Sequence, residues 1–393
     1  MFEILSRVQF AFTITYHFLF VPLTIGLILL IGIFELMYYR TRNDKYRMLS
    51  DFFGNIFVVN YAIGIVTGVM MTIQFGTNWA EFSSFMGDVF GVPLALEALI
   101  AFFLESTFTG IYIFRRNKMS PLFRLITVWL IWLGVMFSAL WIITANGFMQ
   151  NPVGYELVPD GSKVLITDFI AVVLNPYAWY LLIHNNAASF VLGGFFILSI
   201  ASYKLLQPNL EDIEREAFTS AVKIGAWVAF LSSILTMAIG SSFFGYMAPI
   251  QPHKVDAISG GNMFVTISFG IMVGLGTFFL LSSLYVILYS DKFLNSTVLK
   301  KVFVWGFILP EVAIIAGWMV SEVGRQPWTV NGLLLTSESI STGVPTASVV
   351  FSLVTTTLLY IVVLVFVIKF VFIQIKNPIT KTKYYYFDEE NND

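Results

Sequence analysis

The stretch LFRLITVWLIWLGVMFSALWIITAN, residues 122–146, decides the kind of fold. After Arg124 it carries no charged side chain. A helix needs about 20 mainly apolar residues to cross a bilayer, where each backbone polar group must be satisfied inside the segment. Eight more such runs surround it, at 9–38, 52–74, 91–114, 176–204, 219–245, 262–289, 299–322 and 347–374. The chain of 393 residues is 57% hydrophobic and 12% charged, with a mean hydropathy of +0.80. Soluble domains average about 25% charged residues, so the solvent of this chain is lipid. The expected fold is all-α, a polytopic membrane bundle of about nine transmembrane helices.

The 22 Lys and Arg residues test that count. Four of them, Arg7, Lys163, Lys254 and Arg325, fall on the side that holds the N-terminus. The other 18 fall on the opposite side, in groups that alternate loop by loop. Positive charge gathers on the cytoplasmic side. The split therefore predicts an outer N-terminus and a cytoplasmic C-terminus. Short loops and the lack of a linker suggest one membrane domain over 1–375, followed by a polar cytoplasmic tail, 376–393. The opening MFEILSRVQF carries an early acid and no cleavage pattern, so it is read as the start of the first helix. With no Cys, disulfides, thiolate metal sites and covalently attached haem are excluded. No basic stretch points to nucleic acid.

Ionisable groups inside a bilayer are costly and tend to mark function. His17 lies in the first run and His184 in the fifth; His253 is in a loop. Counted at about 1.5 Å per residue from the starts of their runs, His17 and His184 both lie roughly 12 Å below the outer side. Met272 is at a similar level in the seventh run. Imidazole and thioether are both axial ligands for haem iron, although a lone Met is usually a packing residue. Glu97 and Glu105, eight positions apart in the third run, sit roughly 80° off a common line and about 12 Å apart on a regular helix. They are either a relay of protonated acids or packing acids bonded to a neighbouring helix. In Glu322-Val-Gly-Arg325-Gln-Pro-Trp328, Arg325 either neutralises Glu322 or faces anionic haem propionates.

Five blocks then appear in order: SRVQFAFTITYHFLFVPLT (6–24), QFGTNW (74–79), GVPLALEALIAFFLEST (91–107), SALWIITANGFMQNPVG (138–154) and GWMVSEVGRQPW (317–328). Together they resemble subunit I of the cytochrome bd-type oxidases over nearly the whole chain. The resemblance implies an oxidoreductase in a prokaryotic plasma membrane. It would oxidise a quinol and reduce oxygen to water, with protons taken from the cytoplasm. It implies three haems: a low-spin haem b, a high-spin haem b, and a haem d or further haem b. The match assigns His184 and Met272 to the low-spin haem, His17 to one high-spin haem and Glu322 to the other. Arg325 and Arg7 become basic residues near the haems, Trp318 an aromatic between them, and Lys254 a quinol-binding residue. Glu97 and Glu105 become acids of the proton path and haem pocket. The implied partner is a second membrane subunit, related to subunit II or to a subunit I paralogue.

Departures from the family cluster on the donor side. The loop YMAPIQPHKVDAISGG (246–261) is much shorter than the family's quinol loop. It keeps Lys254, but Ser259 stands where the family has an acid five residues later. Gly270 replaces an Arg two residues before Met272. Ile315 replaces an acid, with Glu311 one turn earlier, and Phe148 replaces a Trp. Three readings follow: a quinol oxidase with a trimmed loop, the same oxygen-reducing core with a non-quinol donor, or a haem-binding subunit that turns nothing over. A transporter is disfavoured by the lack of inverted repeats.

Overall fold

The computed structural model describes residues 1–379. Among the described residues, nine helical segments are long and apolar enough to cross a membrane. They are spans 1 to 9: Phe2–Thr41, Asp44–Thr77, Gly87–Arg115, Pro121–Gln150, Phe169–Leu205, Asp212–Met247, Met263–Leu288, Thr297–Val323 and Thr346–Lys376. The expected nine-helix bundle is therefore the observed fold. The far tail, with Lys381 and Lys383, lies outside the described residues.

Successive spans run in opposite directions, so the N-terminus shares one end of the bundle with segments 78–86, 151–168, 248–262 and 324–345. Cross-links confirm this grouping. Asn331 N–H donates to the Met149 carbonyl at 2.8 Å, and Ser341 N–H to the Asn78 carbonyl at 3.0 Å. This end is called the N-terminal face. Two small hairpins lie on it, Tyr155–Leu157 with Val164–Ile166 and Trp328–Val330 with Leu334–Leu335.

Spans 1, 2, 5 and 6 form the packed centre, with Leu27, Phe34, Phe53, Phe195 and Phe218 buried. Lipid offers little hydrophobic drive between helices, so small residues that let backbones approach do much of the joining. A Cβ on Gly26 would lie 2.3 Å from the Ser189 carbonyl, and one on Gly194 would lie 2.8 Å from that of Gly225. Span 9 instead turns Phe351, Leu358, Val362 and Phe366 outward, as a lipid-facing helix would.

Local breaks shape the site. Span 1 starts at Phe2, not at residue 9, and its helix is interrupted after Phe18. Pro22 cannot donate a backbone hydrogen bond to residue 18 and restricts the residue before it. His17 therefore lies in the last turn of the first helix, about 22 Å along the axis from Phe2. Span 8 breaks between Phe303 and Ile308, with Pro310 in the first turn of the resumed helix. Span 4 runs to Gln150, one turn past the expected end at 146. Gly147 permits this, because Ala178 Cβ packs 2.5 Å from where its own Cβ would be.

At the opposite face lies a buried ionic knot that the sequence reading passed over. Arg124 donates to Glu35 of span 1 at 2.5 Å and to Asp51 of span 2 at 2.8 Å. It also donates to the Arg116 carbonyl at 3.1 Å. The Ser50 hydroxyl bonds Glu35, and Arg116 bonds Asn55. Arg124 is 1% exposed and Glu35 fully buried, so these bonds tie three spans together out of reach of solvent.

Candidate functional site

Toward the N-terminal face, spans 5 to 8 enclose a cavity of about 510 Å³. Cofactor and ligand sites commonly occupy about 300–1,000 Å³. His184 and Met272 both line it, from spans 5 and 7, which are not consecutive in sequence. Two glycines make room for them. A Cβ on Gly240 would sit 3.0 Å from His184 Cε1, and one on Gly317 would sit 3.1 Å from Met272 Sδ.

Both intramembrane histidines are oriented by their Nδ1 atoms. His184 Nδ1 lies 3.0 Å from the Thr236 carbonyl, which can only accept. Its proton is thereby placed on Nδ1, and Nε2 keeps its lone pair. His17 Nδ1 lies 2.7 Å from Thr67 Oγ1. Thr67 Oγ1 also lies 2.9 Å from the Ile63 carbonyl; with its proton directed there, its oxygen can accept from His17 and leave Nε2 free. Fixing one ring nitrogen to present the other is the usual preparation of an imidazole for iron.

Trp318 stands on the cavity wall and stacks on Phe18 at 4.6 Å and 17°. Phe18 is the neighbour of His17, so this pair connects the cavity to the His17 region.

Glu322 ends span 8 within a polar cage. Its Oε1 accepts from Asn146 Nδ2 at 3.1 Å and Gln150 Nε2 at 3.3 Å. Its Oε2 pairs with Arg325. Arg325 is 6% exposed, yet its Nε and Nη1 have no hydrogen-bond partner among the described residues. Buried guanidinium donors are rarely left unmatched. They suit the carboxylates of a haem, which guanidinium recognises well. Arg7 joins the same region through Gln326, donating to its Oε1 at 3.2 Å.

Lys254 is not displayed on the loop surface. Segment 252–261 folds inward as a short helix and a wide turn. Lys254 is 3% exposed and donates to Gln150 Oε1 at 2.6 Å and Tyr177 OH at 3.2 Å. Burial pushes its ammonium down to about 7. Ser259 and Asp256 are exposed. A Cβ on Gly270 would meet nothing within 4 Å, so packing does not require the missing arginine to be glycine.

Glu97 and Glu105 lie apart from this cavity, on span 3. The roughly 80° offset expected for them assumed a regular helix. Residues Glu97–Phe102 instead form a π-helical turn. An i→i+5 turn absorbs about one extra residue, so eight positions act like seven and the offset falls to about 20°. Ser138 donates to Glu97 Oε1 at 2.9 Å, and a Cβ on Gly134 would lie 3.0 Å from Glu105 Cβ. Gly134 and Ser138 are one turn apart, so both acids face one strip of span 4.

The sequence reading missed Asn146, Gln150, Tyr177, Thr67, Thr236 and Ser138. Asn146 and Gln150 at i and i+4 were a usable signal, hidden by ending span 4 too early. The two threonines hold His rings across helices, which no local pattern announces. Among the described residues no three His, Asp or Glu side chains gather as a bare metal ion would need. The ligand candidates come singly or in pairs, the number that an axial haem site takes.

The family described as cytochrome bd terminal oxidase subunit I matches residues 5–263 and 261–379. Cytochrome bd ubiquinol oxidase subunit 1 of Bacillus subtilis is 31% identical, over 91% of this chain and 90% of its own length. Cytochrome bd-II ubiquinol oxidase subunit 1 of Escherichia coli is 42% identical over 65% of this chain and 49% of its own length. Among solved structures, the bd oxidase of Geobacillus thermodenitrificans superposes with a TM-score of 0.87 at 25% identity, covering 95% of this chain and 98% of the other. The nine apolar spans, the arrangement of the site and these matches lead to one conclusion: the chain belongs to the cytochrome bd terminal oxidase subunit I family, multi-pass oxidoreductases of the bacterial plasma membrane.

Proposed function

We propose that this chain is the haem-bearing subunit of a quinol oxidase that reduces oxygen to water. One observation carries the reading. His184 and Met272, from non-consecutive spans, converge on one cavity, with His184 held so that Nε2 is free. In this reading His184 and Met272 hold a low-spin haem b. His17 and Glu322 hold two further haems, of b type or one of d type. Bound haem supplies iron that carries electrons from the donor and the centre at which oxygen is reduced. Arg325 and Arg7 offer positive charge to haem carboxylates. Asn146, Gln150 and Arg325 hold the Glu322 carboxylate in one orientation. Trp318 and Phe18 fill the space between sites with stacked rings and exclude water.

Each quinol gives up two electrons and two protons, so two quinols reduce one oxygen to two waters. The N-terminal face is the outer one in this reading, which the distribution of Lys and Arg supports. Quinol protons leave there, near Lys254. The protons consumed come from the cytoplasm, where Glu105 and Glu97, nearly in line on span 3, pass them inward past Ser138. Residues 1–375 act as one membrane domain, and a second membrane subunit covers part of the lipid-facing surface.

Oxygen uptake by purified membranes, driven by ubiquinol or menaquinol, tests the proposal. Uptake that disappears in His184→Leu is the expected result. Full haem content without uptake on either quinol would overturn it. The burial of Lys254 favours one second reading, a different donor that docks on the outer face. In that case a redox protein, and no quinol, would restore turnover.

A further inference from the structure

The side chain of Gln150 touches both halves of the N-terminal-face site. It is fully buried. Its Oε1 accepts from Lys254 Nζ at 2.6 Å, Gln251 Nε2 at 3.1 Å and Tyr177 OH at 3.5 Å. Its Nε2 donates to Glu322 Oε1 at 3.3 Å and Ser321 Oγ at 3.2 Å. An ammonium can only donate and a carboxylate can only accept. The amide is therefore fixed in this sense, since a flip would set NH₂ against the ammonium and C=O against the carboxylate. Its backbone is pinned too, because Gln251 Nε2 donates to the Gln150 carbonyl at 2.5 Å.

Lys254 takes part in none of the ion pairs found among the described residues. Its buried charge faces an amide dipole whose other end rests on Glu322. Hydrogen-bonded groups in a weakly polar interior polarise one another, so such a chain carries an electrostatic effect further than separated groups would.

We propose that Gln150 is a positioning residue that couples the loop lysine, Lys254, to the Glu322 carboxylate, so that a change at the loop is felt by the group bound at Glu322. The inference rests on reading Glu322 as a haem ligand. It requires no contact between Lys254 and the group bound at Glu322; Lys254 itself lines the cavity of His184 and Met272. It also gives a use to a lysine that is turned away from solvent.

A double-mutant cycle on the purified complex tests it, read by spectroelectrochemical titration of each haem. Loss of one haem signal in Glu322→Ala first identifies the haem concerned. If no signal is lost, the assignment of Glu322 fails, and that failure is distinct from failure of the coupling. Lys254→Met is expected to lower that haem's midpoint potential, because a nearby cation favours the reduced iron. The expected shift is about tenfold in the redox equilibrium, or about 59 mV for one electron. In a Gln150→Leu background the same lysine substitution should shift it by less than a third as much. If Gln150→Leu yields no haem-loaded protein, Gln150→Glu reads the same cycle, since it keeps an acceptor for Lys254 and loses the donor to Glu322. Equal shifts in both backgrounds would overturn the proposal. So would a lysine shift spread evenly over every haem.

Discussion

Two clusters in this molecule are built from the same chemistry, an arginine beside carboxylates, and they are finished differently. At the end opposite the N-terminal face, Arg124 is enclosed by Glu35, Asp51 and the Arg116 carbonyl. At the N-terminal face Arg325 pairs with Glu322 but leaves Nε and Nη1 without partners among the described residues. In the first cluster every guanidinium nitrogen of Arg124 is bonded, and three helices are joined. The second touches the cavity wall only through Ser321 and keeps donors in reserve. The difference separates a charge that holds a fold from one that awaits a ligand. Both are buried, so burial by itself would not have told them apart.

The contrast predicts unequal outcomes when each arginine is removed. Arg124→Met leaves the buried Glu35 carboxylate without its cation and should cost about 3–5 kcal/mol of stability. Thermal unfolding of the detergent-solubilised protein would show it as a large drop in midpoint. Arg325→Leu should leave the unfolding midpoint much closer to that of the parent. Its effect should appear as haem affinity weakened about 10- to 100-fold, the usual range when a supporting group of a metal site is lost. Haem titration of the depleted protein measures this. If Arg325→Leu unfolds the protein as readily as Arg124→Met, the two clusters are alike and the contrast fails.

Lys254 sharpens the comparison through pH. Its folded value lies near 7, against about 10.4 for a free lysine. Between these values the unfolded chain binds the extra proton, so this group makes stability rise with pH across that window. Below about 7 the full cost of burying the charge is present. Lys254→Met should abolish this part of the pH dependence in unfolding curves recorded from pH about 6 to 10. A retained slope would mean that another group carries it. The smallest effect is expected at Ser138. Ser138→Ala removes one hydrogen bond to Glu97, worth about 1 kcal/mol, and should slow turnover a few-fold while the haem spectrum stays unchanged. A changed haem spectrum would place Ser138 at a haem and not on the proton path.

Much of this was legible in the sequence, because lipid imposes strict rules. Nine apolar runs had to become nine helices, and the rare polar residues inside them stood out. What stayed hidden depended on where helices deviate. The π turn at Glu97–Phe102 brings two acids nearly into line, and no residue there announces a wide turn. The extra turn to Gln150 depends on Gly147 meeting Ala178 from another helix. Arg124 looked like one more cytoplasmic loop cation, because its partners come from spans 1 and 2. Lys254 read only as a loop lysine, and its inward turn is set by Gln150 and Tyr177 across the bundle.

The central claim is that the cavity between spans 5 and 7 holds a haem on His184 and Met272. The most direct measurement is the reduced-minus-oxidised spectrum of membranes carrying the parent chain, His184→Leu or Met272→Leu, with haem extracted from each. The account predicts that either substitution removes or converts the low-spin signal, that His184→Leu lowers the extracted haem by one equivalent, and that the other haem signals persist. An unchanged low-spin signal in both variants would contradict it.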